Sequence, residues 1–387
     1  MTDIPREVGR QLSALKDRAV AQAEAMAPDL YVLSDRIYHN PELGFSEFRA
    51  SRWLSEFLAS RGFEVDLGLA GMETAFKASA SGASAGPAVA LLAEYDALPE
   101  IGHGCGHNII GVAACGAAAA VKSVLGGMDG KVVVFGSPAE EGAVLGAGGK
   151  VVLIDGGYFE GVDAAMMIHP ASRYVVSGRS LARAALKMVF SAGDAQSAAM
   201  LAFNAINALR QHLGRGARVH GVIVGGDPGC EVRAYVRALE TAELESCELR
   251  VRNCAIGAAM ATGCQVEFTH TSPTYKEMVT NRFLASAFAG NLRTLGVEVE
   301  ERLDAGTGST DMGNVSHVTP SLHAYIATCP RGVAGHTREF ARATLTQGAH
   351  EGMLIGVKAL AMTVIDLLGN PSLLLKVRAE FRRMMRK

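Results

Sequence analysis

Three observations predict an α/β fold here: a large domain with a central, mostly parallel sheet flanked by helices, and a smaller α+β domain inserted into it. Short β-rich runs alternate with helical stretches over residues 63–168, the pattern of helices packed on a parallel sheet. In the middle of the chain the order changes to that of a compact antiparallel unit, and the first pattern resumes after Gly296. Both parts can bury a core, because 49% of the 387 residues are hydrophobic and 20% charged.

Local signals justify each element in turn. Helical periodicity covers 7–26 and 29–39, the second stopping before Asn40-Pro41 because the residue ahead of a proline resists the α region. Ser46 reads as the N-cap of a helix that runs to 61 and ends at Gly62. Strands are expected at 63–67, 88–92, 132–135 and 164–168, with helices at 109–125 and 144–154. The insert combines strands at 184–190, 218–224, 231–238 and 265–270 with helices at 195–213, 242–262 and 281–295. A Gly/Ser/Asp-rich turn at 306–313, a strand at 322–328 and two closing helices complete the chain. The large domain is therefore expected at 1–180 and 296–387, and the insert at 181–295.

Composition narrows the function. Formal net charge is −2 and no cluster of Lys and Arg makes a phosphate-tracking surface, which argues against nucleic acid. No apolar run reads as reaching the ~18 residues of a membrane span, the Ala-rich 109–121 included. The N-terminus has no basic start followed by an apolar core, and the seven cysteines follow no disulfide-like spacing. The expectation is a cytoplasmic protein with free thiols and no nucleic-acid or membrane partner.

In α/β sheets ligands sit beyond the carboxyl ends of the strands, and the polar residues fall there. One strand leads into Glu94-Tyr95-Asp96-Ala97-Leu98-Pro99 and then His103-Gly104-Cys105-Gly106-His107-Asn108. The next ends in Ser137-Pro138-Ala139-Glu140-Glu141-Gly142, another in His169-Pro170, and the last leads to Gly335-His336-Thr337. Singly these are weak signals, since a histidine on an apolar strand is often a core residue and a Glu-Glu pair often a solvated turn. Jointly they assemble the ligand set for zinc or manganese. Cys105, His107, Glu141, His169 and His336 exceed what a single catalytic zinc takes from protein, so two divalent ions about 3.5–4 Å apart are expected. One of the adjacent carboxylates would coordinate while the other acts as general base, and Asp96 would orient a ligand.

These motifs, with Gly308-Ser309-Thr310-Asp311-Met312 and the earlier Asn40-Pro41-Glu42-Leu43-Gly44, carry a family resemblance. The sequence resembles the co-catalytic metallopeptidases that include carboxypeptidase G, aminoacylase and the succinyl-diaminopimelate desuccinylases. Within them it is similar to the amidohydrolase branch, peptidase family 20 subfamily D, of auxin-conjugate hydrolases, aminobenzoyl-glutamate hydrolase and β-alanyl-lysine-type dipeptidases. The resemblance implies a metal-bearing catalytic domain, a lid that makes a homodimer contact, Glu140 as general base and Asp96 as orienter. It likewise implies Cys105, His107, Glu141, His169 and His336 as metal ligands.

The insert departs from that pattern. Relatives carry a Gly-Lys-x-x-His segment after the first lid strand, whose histidine polarises the scissile carbonyl, and an Asn-x-x-Pro segment further on. Here Phe190-Ser191-Ala192-Gly193 passes directly into Asp194-Ala195, and Val224-Gly225-Gly226-Asp227-Pro228 into Gly229-Cys230. Either the enzyme has lost these loops, or the sequence omits mobile lid loops and joins their ends. His220 becomes the replacement candidate for the carbonyl, and Arg338 the candidate for a substrate carboxylate, while His212, His270, His317, His323 and His350 read as structural or solvated.

The expected activity is hydrolysis of the amide bond of small N-acyl or aroyl amino acids or unusual dipeptides, by a metal-bridging water that Glu140 activates. A second reading keeps the metals but removes an amino group from an aromatic amine. A third is a non-enzymatic metal-binding relic.

Overall fold

The computed structural model describes residues 6–225, 229–301 and 308–386. Its first half supplies α1 (Arg6–Ala25), α2 (Ala27–Tyr38), α3 (Phe48–Ala59), β1 (Glu64–Leu67), β2 (Phe76–Ser81) and β3 (Ala88–Ala93). Then come α4 (His107–Leu125), β4 (Lys131–Gly136), α5 (Gly149–Asp155) and β5 (Ala164–Ala171). The insert contains β6 (Ala182–Ser191), α6 (Ala195–Leu209), β7 (Arg218–Gly225), β8 (Cys230–Ala238), α7 (Thr241–Thr262) and β9 (Gln265–His270). The chain finishes with α8 (Arg282–Thr294), α9 (Met312–Ser316), β10 (Ser321–Ala327), α10 (Arg338–Ala343), α11 (Gln347–Gly369) and α12 (Pro371–Met384).

The large sheet has the order β1-β2-β4-β3-β5-β10; β4, β3, β5 and β10 are parallel, and β1 and β2 form an antiparallel edge. Alternate residues feed two cores, as the strand period of two requires. Val89, Leu91, Val132, Val134, Met166 and Ile168 meet the helical layer of α1, α4 and α11, while Ala90, Leu92, Val133, Phe135 and Met167 face α5 and α9. Burial on both faces explains why β3 is apolar throughout.

The insert is a β7-β8-β6-β9 antiparallel sheet with α6 and α7 on one face. Leu186, Met188, Val232, Ala234 and Val236 point to those helices, whereas Arg183, Tyr235 and Arg237 lie on the opposite face by alternation.

Several expectations need correction. The α3 N-cap is Glu47, not Ser46, and its orphan amides at Arg49 and Ala50 are taken by the Glu42 carboxylate at 3.0–3.1 Å. The helix expected at 144–154 begins only at Gly149, because Gly146 and Gly148 adopt positive φ. Strand β2 has no counterpart among the expected elements, since its Lys and Ser residues break any apolar run. Helix α8, expected in the insert, packs Leu284, Phe288 and Leu292 into the large core against α11 and α12. Contrary to the reading of apolar runs, α4 and α11 are long and apolar enough to cross a membrane, but 89% and 72% of their apolar windows are buried in the fold. The first short lid connection is a closed turn: Ala192 and Gly193 take positive φ and Asp194 caps α6 by accepting from Ser197 N–H at 3.0 Å. Residues 226–228 of the second connection and 306–307 of the expected turn lie outside the described residues.

Candidate active site

The carboxyl ends of β3, β4 and β5 and the loop before α10 converge on one cluster. Asp96 ties it together: its Oδ1 pairs with His107 Nδ1 at 2.9 Å and its Oδ2 accepts from Glu141 N–H at 3.0 Å. His107 Nε2 then faces Glu94 Oε2 at 3.5 Å and Glu141 Oε1 at 4.0 Å. His169 Nδ1 donates to the Pro170 carbonyl at 2.8 Å, which leaves Nε2 as the acceptor 3.3 Å from Cys105 Sγ. His336, more than half exposed at the mouth, brings Nε2 to 3.3 Å from Glu141 Oε1.

Donor atoms of Cys105, His107 and His169 lie within 4.8 Å of one another, and so do those of Cys105, Glu141 and His336. Both groups share Cys105. His107 Nε2 and Glu141 Oε1 are buried without a hydrogen-bond partner, a costly state that a bound cation relieves. The thiol, imidazole and carboxylate set fits neighbouring divalent ions.

Burial and the Glu94 carboxylate, with Glu141 and Asp311 behind it, push the Glu140 carboxyl well above the usual carboxylate range. Burial and then Glu141 also raise the Cys105 thiol. Burial works against charge on His107, but Asp96 and Cys105 outweigh it and hold that imidazole well above its ordinary value.

Sequence reasoning missed the support behind the cluster. Lys150 is fully buried and pairs through Nζ with Glu94 and Asp311, and its backbone N–H donates to Asp311 Oδ2 at 3.0 Å. Asp311 belongs to the Gly308–Met312 motif, whereas nothing local marks Lys150. Tyr275 was also missed; its hydroxyl donates to the Glu140 carbonyl at 2.8 Å.

A cavity of about 400 Å³ opens over the cluster, and Cys105, Glu140, His169, His336, Arg183 and Tyr325 contribute to its walls. Arg183 comes from β6, is 6% exposed, stacks 4.0 Å over the Tyr275 ring and donates to Ser272 Oγ at 3.3 Å. Among the described residues it has no carboxylate partner. Gly142 permits its approach, since a Cβ there would sit 2.6 Å from Arg183 Nη1.

Cys105, His107, Glu140, Glu141, His169, His336 and Asp96 are thus brought together, but His220 and Arg338 are not. His220 is exposed on β7 opposite Tyr235, and Arg338 is exposed at the start of α10; neither lines the cavity. His323, expected to be structural, does line it, with its ring 5.6 Å from that of His169.

A parallel sheet that presents this cluster beneath a separate lid is the architecture of a metal-dependent hydrolase acting on C–N bonds. The chain belongs to peptidase family M20/M25/M40, whose family model matches residues 90–363. It is 36% identical to the Xaa-Arg dipeptidase of Mus musculus over 409 aligned positions, covering 96% of this chain and 93% of the mouse protein. That alignment is longer than the 387-residue chain, so the mouse protein carries segments without a counterpart here. A subunit of the p-aminobenzoyl-glutamate hydrolase of Escherichia coli is 29% identical, with 91% of each chain covered. Among solved structures, a dinuclear metal-binding peptidase of the M20 family from Bacillus subtilis superposes with a TM-score of 0.68 at 20% identity, covering 89% of this chain and 99% of that one.

Proposed function

We propose that this protein hydrolyses the amide bond of small N-acyl or aroyl amino acids or dipeptides, releasing an amino acid whose carboxylate is held by Arg183. The observation that carries this reading is the two-sided cavity, with a metal-capable cluster on one wall and on the other a buried guanidinium that has no carboxylate partner among the described residues. A buried charge is costly unless paired, and a carboxylate matches the guanidinium fork. The relatives support the bond type, one being named a dipeptidase and another a hydrolase of p-aminobenzoyl-glutamate.

Cys105, His107, Glu141, His169 and His336 would hold two divalent ions, zinc or manganese. When bound, such ions polarise a carbonyl and acidify water. Glu140 accepts the proton of the attacking water at its carboxylate and passes it to the leaving nitrogen, so the amine departs neutral. Asp96 fixes the orientation of His107 and the backbone of Glu141 at once. Arg183 and the Tyr275 ring beneath it place the substrate carboxylate, which sets the scissile bond over the cluster. A homodimer formed through the insert is supported by the open edge of β7, and seven free cysteines support a cytoplasmic setting.

The test is metal content of the purified protein, with product analysis on a panel of N-acyl amino acids, aroyl amino acids and dipeptides before and after chelation. About two metals per chain and chelator-sensitive release of a free amino acid are expected. Ammonia from an aromatic amine, with no amino acid released, would overturn this reading in favour of deamination.

A further inference from the structure

Glu140 and Glu141 follow a residue in an unusual conformation. Ala139 has φ of 55°, the left-handed region that residues with a Cβ rarely adopt. Such a turn persists only where its surroundings over-determine it, and here both of its peptide groups are held. Its N–H donates to Glu47 Oε1 at 2.9 Å, and its carbonyl accepts from Gly148 N–H at 2.7 Å.

Glu47 is separated from Ala139 by 92 positions and is fully buried. Its other oxygen accepts from Thr74 Oγ1 at 2.8 Å, so both carboxylate oxygens are engaged and the side chain is fixed. The loop ahead of it presses on the same turn. A Cβ at Gly44 would lie 2.7 Å from Ala139 Cβ and 2.9 Å from its Cα, so only glycine fits. The same loop reaches the other half of the cluster, where the Glu42 carbonyl accepts from Ala97 N–H at 2.8 Å, next to Asp96. The Asn40-Pro41-Glu42-Leu43-Gly44 motif therefore lies behind the metal-capable residues and touches their two supporting turns.

We infer that Glu47 is a positioning residue: its buried carboxylate pins the Ala139 peptide in the left-handed region and so aims the Glu140 and Glu141 carboxylates that follow. The inference rests on Glu140 being the base of the proposed hydrolysis. Glu47 does not line the cavity over the cluster and acts through one peptide group.

The experiment compares Glu47→Ala, Glu47→Gln and Gly44→Ala with the unaltered protein by steady-state kinetics, metal content and hydrogen exchange of peptides spanning 136–143. Glu47→Ala is expected to lower kcat about 10- to 100-fold with KM within about twofold, as for misplaced catalytic groups. The 137–141 amides exchange faster, while Asp96 still holds the Glu141 N–H and keeps metal content near that of the unaltered protein. Glu47→Gln keeps a carbonyl oxygen for the Ala139 N–H and restores most of kcat. Gly44→Ala displaces the same turn without touching the buried carboxyl, and it carries the test if Glu47→Ala does not fold. A folded Glu47→Ala or Gly44→Ala with unchanged kcat overturns the inference. So does a Glu47→Gln no better than Glu47→Ala. If the unaltered protein cleaves no amide substrate, the functional reading fails instead, and unchanged exchange at 137–141 in Glu47→Ala would still refute the role of Glu47 on its own.

Discussion

The two walls of the cavity differ in charge and in how they are built. The wall from the large sheet is a dense set of carboxylates, imidazoles and a thiol on loops that are cross-braced by Asp96, Lys150 and Glu47. The wall from the insert offers donors, above all Arg183, carried on one face of an antiparallel sheet whose other face is an apolar core. The contrast separates two tasks. Strand ends of a parallel sheet can hold several ligand atoms to the tolerance that bond hydrolysis demands, while a lid can change its recognition residues without disturbing them.

The separation can be broken most severely on the sheet side. Glu140→Gln should lower kcat by about 10²–10⁴-fold, with metal content by elemental analysis unchanged. Loss of metal instead would show Glu140 to be a ligand. Next in size, Asp96→Asn should weaken metal affinity by about 10–100-fold, because the amide cannot accept from both His107 and the Glu141 N–H. Titration with a graded chelator measures it.

A smaller loss is expected on the lid side. Removing a charge-assisted hydrogen bond costs about 1.5–3 kcal/mol, so Arg183→Met should reduce kcat/KM about 10- to 100-fold for a substrate with a free carboxylate. The matching carboxamide substrate should be nearly unaffected. Equal losses on both substrates would erase the distinction between the walls.

A further effect, on stability, is expected from two buried histidines of the large domain. Burial holds the His103 and His323 imidazoles down at about 3, below the ordinary 6.5. The unfolded chain therefore binds protons that the folded one refuses, and stability is full above 6.5 and lost as pH falls towards 3. The Tm of the metal-free protein should drop across that window, and His103→Gln should flatten the slope.

The metal-capable wall was legible because its residues lie in short motifs just past apolar strands, where sequence order and spatial order coincide. Its bracing was not. Lys150 meets Asp311 across 161 positions, and a lysine in Gly-Gly-Lys carries no local sign of burial. The lid wall was harder still: alternation along β6 shows that Arg183 and Ala184 face opposite ways, but not that one side roofs a cavity. Helix α8 illustrates the same limit, since an apolar stripe tells that a helix is packed and not which core receives it.

Tyr275 lies where the chain returns from the insert, paired with Arg183 through reciprocal backbone hydrogen bonds of 2.8 and 2.9 Å. Its hydroxyl grips the carbonyl of Glu140, while Glu47 grips the preceding residue from the opposite side. The Ala139-Glu140 segment is thus anchored twice, by Glu47 from the large domain and by Tyr275 from the return of the insert. One short segment of backbone therefore joins the two parts of the molecule beside the metal-capable cluster, so a substitution at either anchor is felt by the same two peptide groups.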